Sequence, residues 1–236
     1  MDGLKKYLYI SDTKVNQLFA QLSPSTPVTP SELSGELRMG AATVSVNTKG
    51  ELDADQIRIT KLGKVVTWIE NYGNLGTVDN PSEYVYDRME MRWGFLDTGS
   101  PSEISPVVWF GGQTEQTVVG LAGSAHHLLG ATKPSDGASS YSLLPFIEPY
   151  LYKAINEASP HALDRDLLYL DDHKHLALEG VYAATTRMNA IPQTLEFFGE
   201  RLLVGKTRNR KILLVSPIYV ATWFNPYADE ETESHH

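Results

Sequence analysis

The sequence predicts an α+β fold, a single domain in which a central antiparallel or mixed sheet carries helices packed mainly on one face. Three strand-like patterns follow one another between residues 85 and 121 with no helical pattern between them, and amphipathic helical patterns lie on both sides. Consecutive strands favour an antiparallel or mixed sheet over a doubly wound parallel one. A chain of 236 residues is long enough to bury one large core, and we expect residues 1–227 to form it.

The composition is that of a globular, cytoplasmic protein. The hydrophobic content is 42%, the formal net charge is −9 and there are no cysteines, which excludes disulfides, thiolate metal sites and cysteine nucleophiles. The acidic charge argues against general nucleic-acid binding, and no apolar run approaches the ~18 residues of a membrane span. Glycine-rich phosphate loops are absent, and we expect no cofactor. Residues 228–236 read as a disordered acidic tail that ends in a tag remnant.

The chain opens with the pattern of a strand followed by a helix. Residues 7–10 are a short β-rich run that Ser11 and Asp12 interrupt, and both of these side chains can cap a following helix. Apolar residues then recur at helical spacing, at Val15, Leu18, Phe19 and Leu22. A second helical stripe ends at Gly73 and consists of Leu62, Val65, Val66 and Ile69.

The middle of the chain predicts three antiparallel strands. Between residues 85 and 95 apolar and polar side chains alternate, which is typical of a half-buried strand. Two further apolar runs, residues 107–110 and 117–121, flank a glycine-bearing polar turn and indicate a hairpin. We expect this hairpin to lie beside the preceding strand in the centre of the sheet.

The last part of the chain predicts two helices and two strands. Residues 141–158 have an apolar helical stripe, and residues 180–186 are rich in the β-branched and aromatic side chains of a strand. Residues 193–204 follow a proline and precede a glycine, an asymmetry typical of a helix. Residues 212–223 are a long apolar run that we interpret as the closing strand.

The strongest candidate site follows the hairpin, in the sequence GSAHH at residues 123–127. Small residues let a ligand approach the backbone, and a histidine near neutral pKa binds ligands or transfers protons. We expect a ligand site built from Ser124, His126 and His127, which are also the catalytic candidates, with Arg92 supplying charge. The alternative is that the small residues only permit close packing. Adjacent histidines in regular structure do not face one site, so at most one is expected to act.

A second candidate is a metal site in the charged segment after residue 170. His173 and His175 would share one face of an extended backbone, and Asp171 would add a carboxylate, a combination that suits Zn²⁺ or Mn²⁺. The segment also has the charge pattern of a solvated loop, and it lacks a third ligand at diagnostic spacing. We therefore expect no bound metal.

A basic turn is the third candidate. Four cations occupy six consecutive positions of this acidic chain: Lys206, Arg208, Arg210 and Lys211. Such a cluster can bind phosphate or another anion, and we include Lys206, Arg208 and Arg210 among the ligand-binding candidates. Cations are also favoured near a helix C-terminus and in an exposed turn, which requires no ligand.

Several short motifs resemble a family of uncharacterised bacterial proteins of similar length. They are KKYLYISDTKV at the start, MRWG, VVWFGG and VVGLAGSAHHLLG in the middle, and LLVSPIYVA near the end. The resemblance implies no particular activity and supplies no catalytic residue. Stand-alone bacterial proteins of this kind accompany signalling or anti-phage gene clusters, which is the cellular context that the resemblance implies.

These observations favour a cytoplasmic ligand- or partner-binding regulatory module over an enzyme. Its target is expected to be a small anionic or nucleotide-like ligand, or a partner protein. One alternative is a hydrolase of the phosphodiesterase or nuclease type that uses the histidines. The other is a non-catalytic assembly component, in which the histidines and the basic turn lie on the surface.

Overall fold

The computed structural model describes residues 4–22, 54–96, 106–130 and 173–224, together with residues 151, 153 and 155. The chain divides into two compact units, and each is described by itself. The first includes residues 12–73, and the second comprises Lys5–Ser11 and Asn74–Phe224. The predicted acidic tail lies outside the described residues, and the single domain over residues 1–227 stays a prediction.

Two helices, α1 (Asp12–Leu22) and α2 (Ala54–Tyr72), pack against each other in the first unit. The guanidinium of Arg58 on α2 donates hydrogen bonds to the carboxylate of Asp12 on α1. Both predicted helical stripes are confirmed, since the buried positions of the two helices are Val15, Phe19, Leu62, Val65 and Ile69.

Among the described residues of the second unit, seven strands form the sheet. In chain order they are β1 (Leu4–Ile10), β2 (Leu75–Gly76), β3 (Tyr84–Phe95), β4 (Val107–Gln113), β5 (Thr117–Ser124), β6 (Gln193–Thr207) and β7 (Arg210–Phe224). β1 lies next to β7, and β2 pairs in parallel with the start of β3. The predicted hairpin is confirmed, because β4 and β5 pair antiparallel from one end to the other.

Five of these strands close into a barrel. β3 pairs with β4, β4 with β5, and β6 with both β3 and β7, and all four pairings are antiparallel. Parallel pairing of β5 with β7 completes the ring. The predicted mixed sheet is thereby confirmed, whereas its closure into a barrel is a feature that we did not predict from the sequence. Closure gives these five strands a neighbour on each side.

Every second side chain along the barrel strands points into a continuous apolar core. This interior cluster includes Met91, Phe110, Leu121, Phe197 and Val215, one from each of the five strands. Because the side-chain period of a strand is two, the residues between these positions face outwards. Side chains of neighbouring strands therefore come together on the outer face as well as in the interior.

The helix α3 (His173–Thr186) packs on the outer side of the barrel, against β4, β5, β6 and β7. Its Leu178 and Val181 belong to a second apolar cluster together with Trp109 of β4. Gly180 allows a close approach at this place, since a β-carbon there would lie 2.5 Å from the β-carbon of Leu151.

Two secondary-structure predictions are wrong. Residues 180–186 belong to α3 and not to a strand, because their buried members recur at helical spacing towards β4 and β5. Residues 193–204 belong to β6 and not to a helix, since Leu195 and Phe197 enter the barrel with a period of two. In both cases tertiary pairing overrides the local preference.

Two further predictions concern the helix over residues 141–158 and the expected absence of a membrane span. Of the predicted helix 141–158, the structure describes residues 151, 153 and 155, which are helical, and the rest lies outside the described residues. Within the described part of the chain, no helix has the length and apolar character needed to cross a membrane.

Candidate functional site

The predicted site begins where β5 ends. Ser124 is the last residue of the strand, and residues 125–127 form a single 3-10 turn directly after it. The backbone N–H of Ala125 donates to the carbonyl of Pro106 at 2.8 Å, which ties the start of the turn to the residue before β4. Strand pairing and this hydrogen bond therefore fix the position of Ser124 and the start of the turn that carries both histidines.

Two polar atoms of this segment are buried without a partner. Neither Ser124 Oγ nor His126 Nε2 has a hydrogen-bond partner among the residues that the structure describes. The same holds for the indole nitrogen of Trp109, which lies on the adjacent strand. A buried polar atom without a partner costs about 1–3 kcal/mol, so each such atom calls for an explanation.

The two adjacent histidines have different surroundings. The ring of His127 packs edge-on against the ring of Tyr9, with 5.8 Å between the ring centroids. The strand residue Gly123 lies next to the same tyrosine, because a β-carbon there would stand 2.6 Å from its hydroxyl oxygen. His127 thus has an apolar, aromatic neighbour, whereas the Nε2 atom of His126 is buried without a partner in the described structure.

Arg92 lies at some distance from Ser124. Arg92 of β3 is paired with Gly111 of β4, whereas Ser124 is paired with Val107, which is four residues away along the same strand. Four residues of a strand correspond to about 13 Å. The structure therefore does not bring the Arg92 backbone next to the residues whose ligand it was expected to help bind.

The basic turn lies at the opposite end of β5. Lys211 is paired with Thr117, the first residue of β5, whereas Ser124 is the last. Seven residues of a strand span about 23 Å. The predicted ligand-binding residues therefore fall into separate groups, and the basic turn is not part of the Ser124 segment.

Most cations of the basic turn bind groups within the protein. Arg208 Nε donates to Glu179 Oε2 of α3 at 2.9 Å, and its guanidinium lies 5.0 Å from the ring centroid of Tyr182. Arg210 donates to the backbone carbonyl of Thr114 at 2.7 Å. Lys206 is exposed. Arg208 therefore attaches the β6–β7 turn to α3, a structural role that needs no anion.

The remaining cation of this turn belongs to a hydrogen-bonded cluster at the end of the barrel. Lys211 donates to the backbone carbonyl of Asp79 at 2.5 Å. The Asp79 carboxylate accepts from the hydroxyls of Thr114 at 2.7 Å and Thr117 at 2.8 Å. The Thr114 hydrogen bond is the main cause that lowers the pKa of Asp79. These contacts connect the β4–β5 turn to the segment before β3.

The candidate metal site does not have the expected geometry. His173 begins α3 and His175 lies within it, so the backbone at both residues is helical and not extended. The expectation that they share a face of an extended backbone is therefore wrong. Asp171 lies outside the described residues, and within the described part no three His, Asp or Glu side chains are close enough to hold a metal ion.

A cluster that the sequence did not point to surrounds Glu196 on the outer face of the barrel. The side chain of Glu196 is only 1% exposed, yet its carboxylate accepts four hydrogen bonds. Lys5 Nζ and the Tyr219 hydroxyl donate to Oε1, each at 2.6 Å. The Trp223 indole N–H donates to Oε2 at 2.6 Å and the Tyr86 hydroxyl at 3.2 Å.

The electrostatics of this cluster favour an ionised carboxylate. Burial raises the pKa of Glu196, but the hydrogen bonds from Lys5, Tyr219 and Trp223 lower it further than burial raises it. Burial raises the pKa of Tyr219 far above its usual value, and the neighbouring Glu196 adds to that increase. The carboxylate is therefore the charged member of the pair, and the phenol is its neutral donor.

Aromatic rings and a second cation complete the cluster. The ring of Tyr219 lies parallel to that of Phe198 at 6.1 Å and is contacted edge-on by Tyr7 at 5.6 Å. The guanidinium of Arg88 lies 4.5 Å from the ring centroid of Trp223. Buried groups with perturbed pKa values and specific charge partners are concentrated at functional sites, so this cluster is a second candidate site.

Together these features define the second unit as a mixed-sheet barrel that carries a buried, ionised carboxylate on its outer face. Residues 5–223 match the sequence profile of DUF7019, a family of unknown function, and the chain belongs to this family. No curated protein and no solved structure matches the chain. The predicted membership of an uncharacterised family is confirmed, while the particular motifs proposed for it stay a prediction.

Proposed function

We propose that this protein is a binding module for a small anionic ligand, and that Ser124 and His126 hold the ligand. In this proposal the protein is a non-catalytic, cytoplasmic accessory or regulatory component of a bacterial signalling or anti-phage system. The observation that carries the proposal is the pair of buried polar atoms, Ser124 Oγ and His126 Nε2, that have no partner in the described structure.

The chemistry of the unpaired groups favours an anion. A serine hydroxyl and a histidine ring nitrogen can both donate a hydrogen bond. A ligand rich in acceptors, such as a phosphate or a carboxylate, satisfies several donors at once. The acidic net charge of −9 favours a small ligand over a polyanion, because long-range repulsion grows with the charge of the ligand.

The geometry gives less support to a hydrolase. A nucleophilic serine is activated by a base within hydrogen-bonding distance, about 2.6–3.2 Å. Within the described residues Ser124 Oγ has no such contact with a histidine. The missing contact favours a ligand-binding role for Ser124 and His126 over that of a nucleophile and its base.

A thermal-shift experiment tests the proposal. The full chain is heated in the presence of inorganic phosphate, and of mono-, di- and cyclic nucleotides. A ligand at 100 times its Kd stabilises by about 2.7 kcal/mol, which corresponds to about 5–10 °C in Tm for a chain of this size. Ser124→Ala and His126→Phe should each reduce that shift, because each removes one donor while leaving the backbone unchanged.

The matched control is His175→Phe, which changes an exposed histidine on α3 and should leave the ligand-induced shift unaltered. Equal shifts in wild type and in both site variants would contradict the proposed site. If no compound of the panel raises Tm, the assembly component becomes the better explanation, and co-purification with products of flanking genes then tests it.

A further inference from the structure

We propose that Glu196 is the anionic centre of an ammonium-binding site on the outer face of the barrel, and that Lys5 is its resident ligand. The site consists of the Glu196 carboxylate, the face of the Tyr219 ring and the donors that orient the carboxylate. Its ligand class is the primary alkylammonium group. The site is independent of Ser124 and of the function proposed above.

The buried carboxylate of Glu196 needs a cation. Three of its four hydrogen-bond donors are neutral, namely the hydroxyls of Tyr86 and Tyr219 and the indole N–H of Trp223. They fix the orientation of both oxygens but leave one full negative charge. Because Glu196 is only 1% exposed, solvent does not compensate that charge. A buried carboxylate of this kind requires a partner of opposite charge.

The position beside Glu196 has the features of an ammonium site. Lys5 Nζ lies 2.6 Å from Glu196 Oε1 and 5.7 Å from the centroid of the Tyr219 ring. A carboxylate on one side and an aromatic face on another attract a compact cation through charge and through the ring quadrupole. An ammonium also supplies up to three N–H donors to the acceptors around it.

The ammonium position beside Glu196 is accessible from solvent. The side chain of Lys5 is 35% exposed, so the ammonium group reaches Glu196 from the surface. An external amine can take the same route when the lysine side chain is shortened. In the native chain the site is already filled, because Oε1 accepts from both Lys5 and Tyr219.

Occupation by Lys5 has a structural consequence. Lys5 belongs to β1, which lies next to β7, whereas Glu196 belongs to β6 on the other side of β7. The ion pair therefore attaches the first strand to the barrel across an intervening strand. Loss of the ammonium group removes this attachment and leaves a buried charge without its cation.

Chemical rescue tests the site. Lys5→Ala removes the ammonium group and the three carbons that carry it. The cation n-propylammonium consists of the same three carbons and ammonium group. We expect the substitution to lower Tm by at least about 5 °C, because it separates a largely buried ion pair. Added n-propylammonium should raise the Tm of the variant by about 2 °C when present at about twice its Kd. Sodium chloride at equal ionic strength should not.

Two variants make the result specific. Lys5→Met keeps the length of the side chain but removes the charge, so it should lose stability and show no rescue, since its own side chain occupies the site. Lys5→Ala combined with Glu196→Gln should also show no rescue, because the anion is gone. If the double variant does not fold, Lys5→Met alone provides the control.

Three results would overturn the proposal. The first is a wild-type Tm in Lys5→Ala, the second is a rescue by n-propylammonium no larger than that by sodium chloride, and the third is an equal rise in the Tm of Lys5→Met. None of these outcomes depends on whether a ligand binds at Ser124, so the two proposals stand or fall separately.

Discussion

The indole of Trp109 on β4 lies directly over the backbone of Gly120 on β5. A β-carbon on Gly120 would stand only 2.1 Å from Cζ2 of the indole. Trp109 is the largest fully buried side chain in the described part of the chain, and it belongs to the apolar cluster beneath α3. The missing side chain at residue 120 is therefore what gives the indole its place between strand and helix.

Gly120→Ala is expected to destabilise the protein by about 1–3 kcal/mol, because the buried indole cannot move aside without straining its neighbours. Urea unfolding followed by tryptophan fluorescence measures the change. Gly94→Ala is the control, since its β-carbon would meet only the terminal methyl of Met188, at 3.9 Å. Equal losses in the two variants would show that the contact with Trp109 is not responsible, since the change from glycine to alanine by itself favours a strand.

The local parts of the fold could be predicted from the sequence, and the long-range parts could not. The β4–β5 hairpin has two apolar strands joined by a short turn, so both partners are visible in one stretch of sequence. Closure of the barrel depends on the pairing of Tyr84–Met91 with Gln193–Glu200, more than 100 residues apart. No periodicity within either segment indicates that they meet.

In the last third of the chain, the sequence predicts a strand where the structure has a helix and a helix where it has a strand. Long-range packing is again the cause. Phe197 and Phe198 are adjacent and both fully buried, one in the barrel and the other among aromatic rings on its outer face. A strand with two buried faces lacks the simple alternation of apolar and polar residues. The flanking proline and glycine then predict a helix, and the strand pairing of these residues overrides that preference.

The pH dependence of stability should report on Glu196. Its pKa is lowered in the folded protein, so its contribution is present above the unfolded-state pKa of about 4.3 and is lost as pH falls through the lower folded-state value. Glu196→Gln should cost about 3 kcal/mol at pH 7, and the difference from wild type should shrink below about pH 4. Urea unfolding at a series of pH values measures it.

The control for the change in net charge is Glu115→Gln, which removes one carboxylate from the exposed β4–β5 turn. A stability difference between Glu196→Gln and wild type that stays constant from pH 7 to pH 3 would contradict the assignment of an ionised, stabilising carboxylate.

In the turn between β6 and β7 we expect a substitution that stabilises the protein, in contrast to the destabilising substitutions above. Arg208 and Asn209 have φ values of 49° and 60°, and they connect the paired residues Thr207 and Arg210. Positive φ at both central positions is the type I′ arrangement, which favours glycine at the second. Asn209→Gly should raise the free energy of unfolding by about 0.5–1 kcal/mol, whereas Asn209→Ala should lower it by about 1 kcal/mol. Thermal unfolding of both variants checks the order.

The residues around Glu196 show why the second candidate site could not be predicted from the sequence. A glutamate within the apolar run Leu195–Phe198 is itself a signal, because a charge in a buried strand requires partners. Its partners Tyr86, Tyr219 and Trp223 lie 110, 23 and 27 residues away, on two other strands. Their identity depends on strand register, which the sequence alone does not provide.

Ser124 and Thr117 stand at the two ends of β5 and should respond oppositely when their hydroxyls are removed. Thr117 Oγ1 donates to the Asp79 carboxylate at 2.8 Å, so Thr117→Val should cost about 1 kcal/mol. Ser124 Oγ is buried without a partner in the described structure, so Ser124→Ala should leave the stability unchanged or raise it by up to about 1 kcal/mol. Urea unfolding of the ligand-free protein measures both. A stability loss in Ser124→Ala as large as that in Thr117→Val would mean that the serine hydroxyl already has a partner within the protein, and the ligand proposal would then lose the observation that carries it.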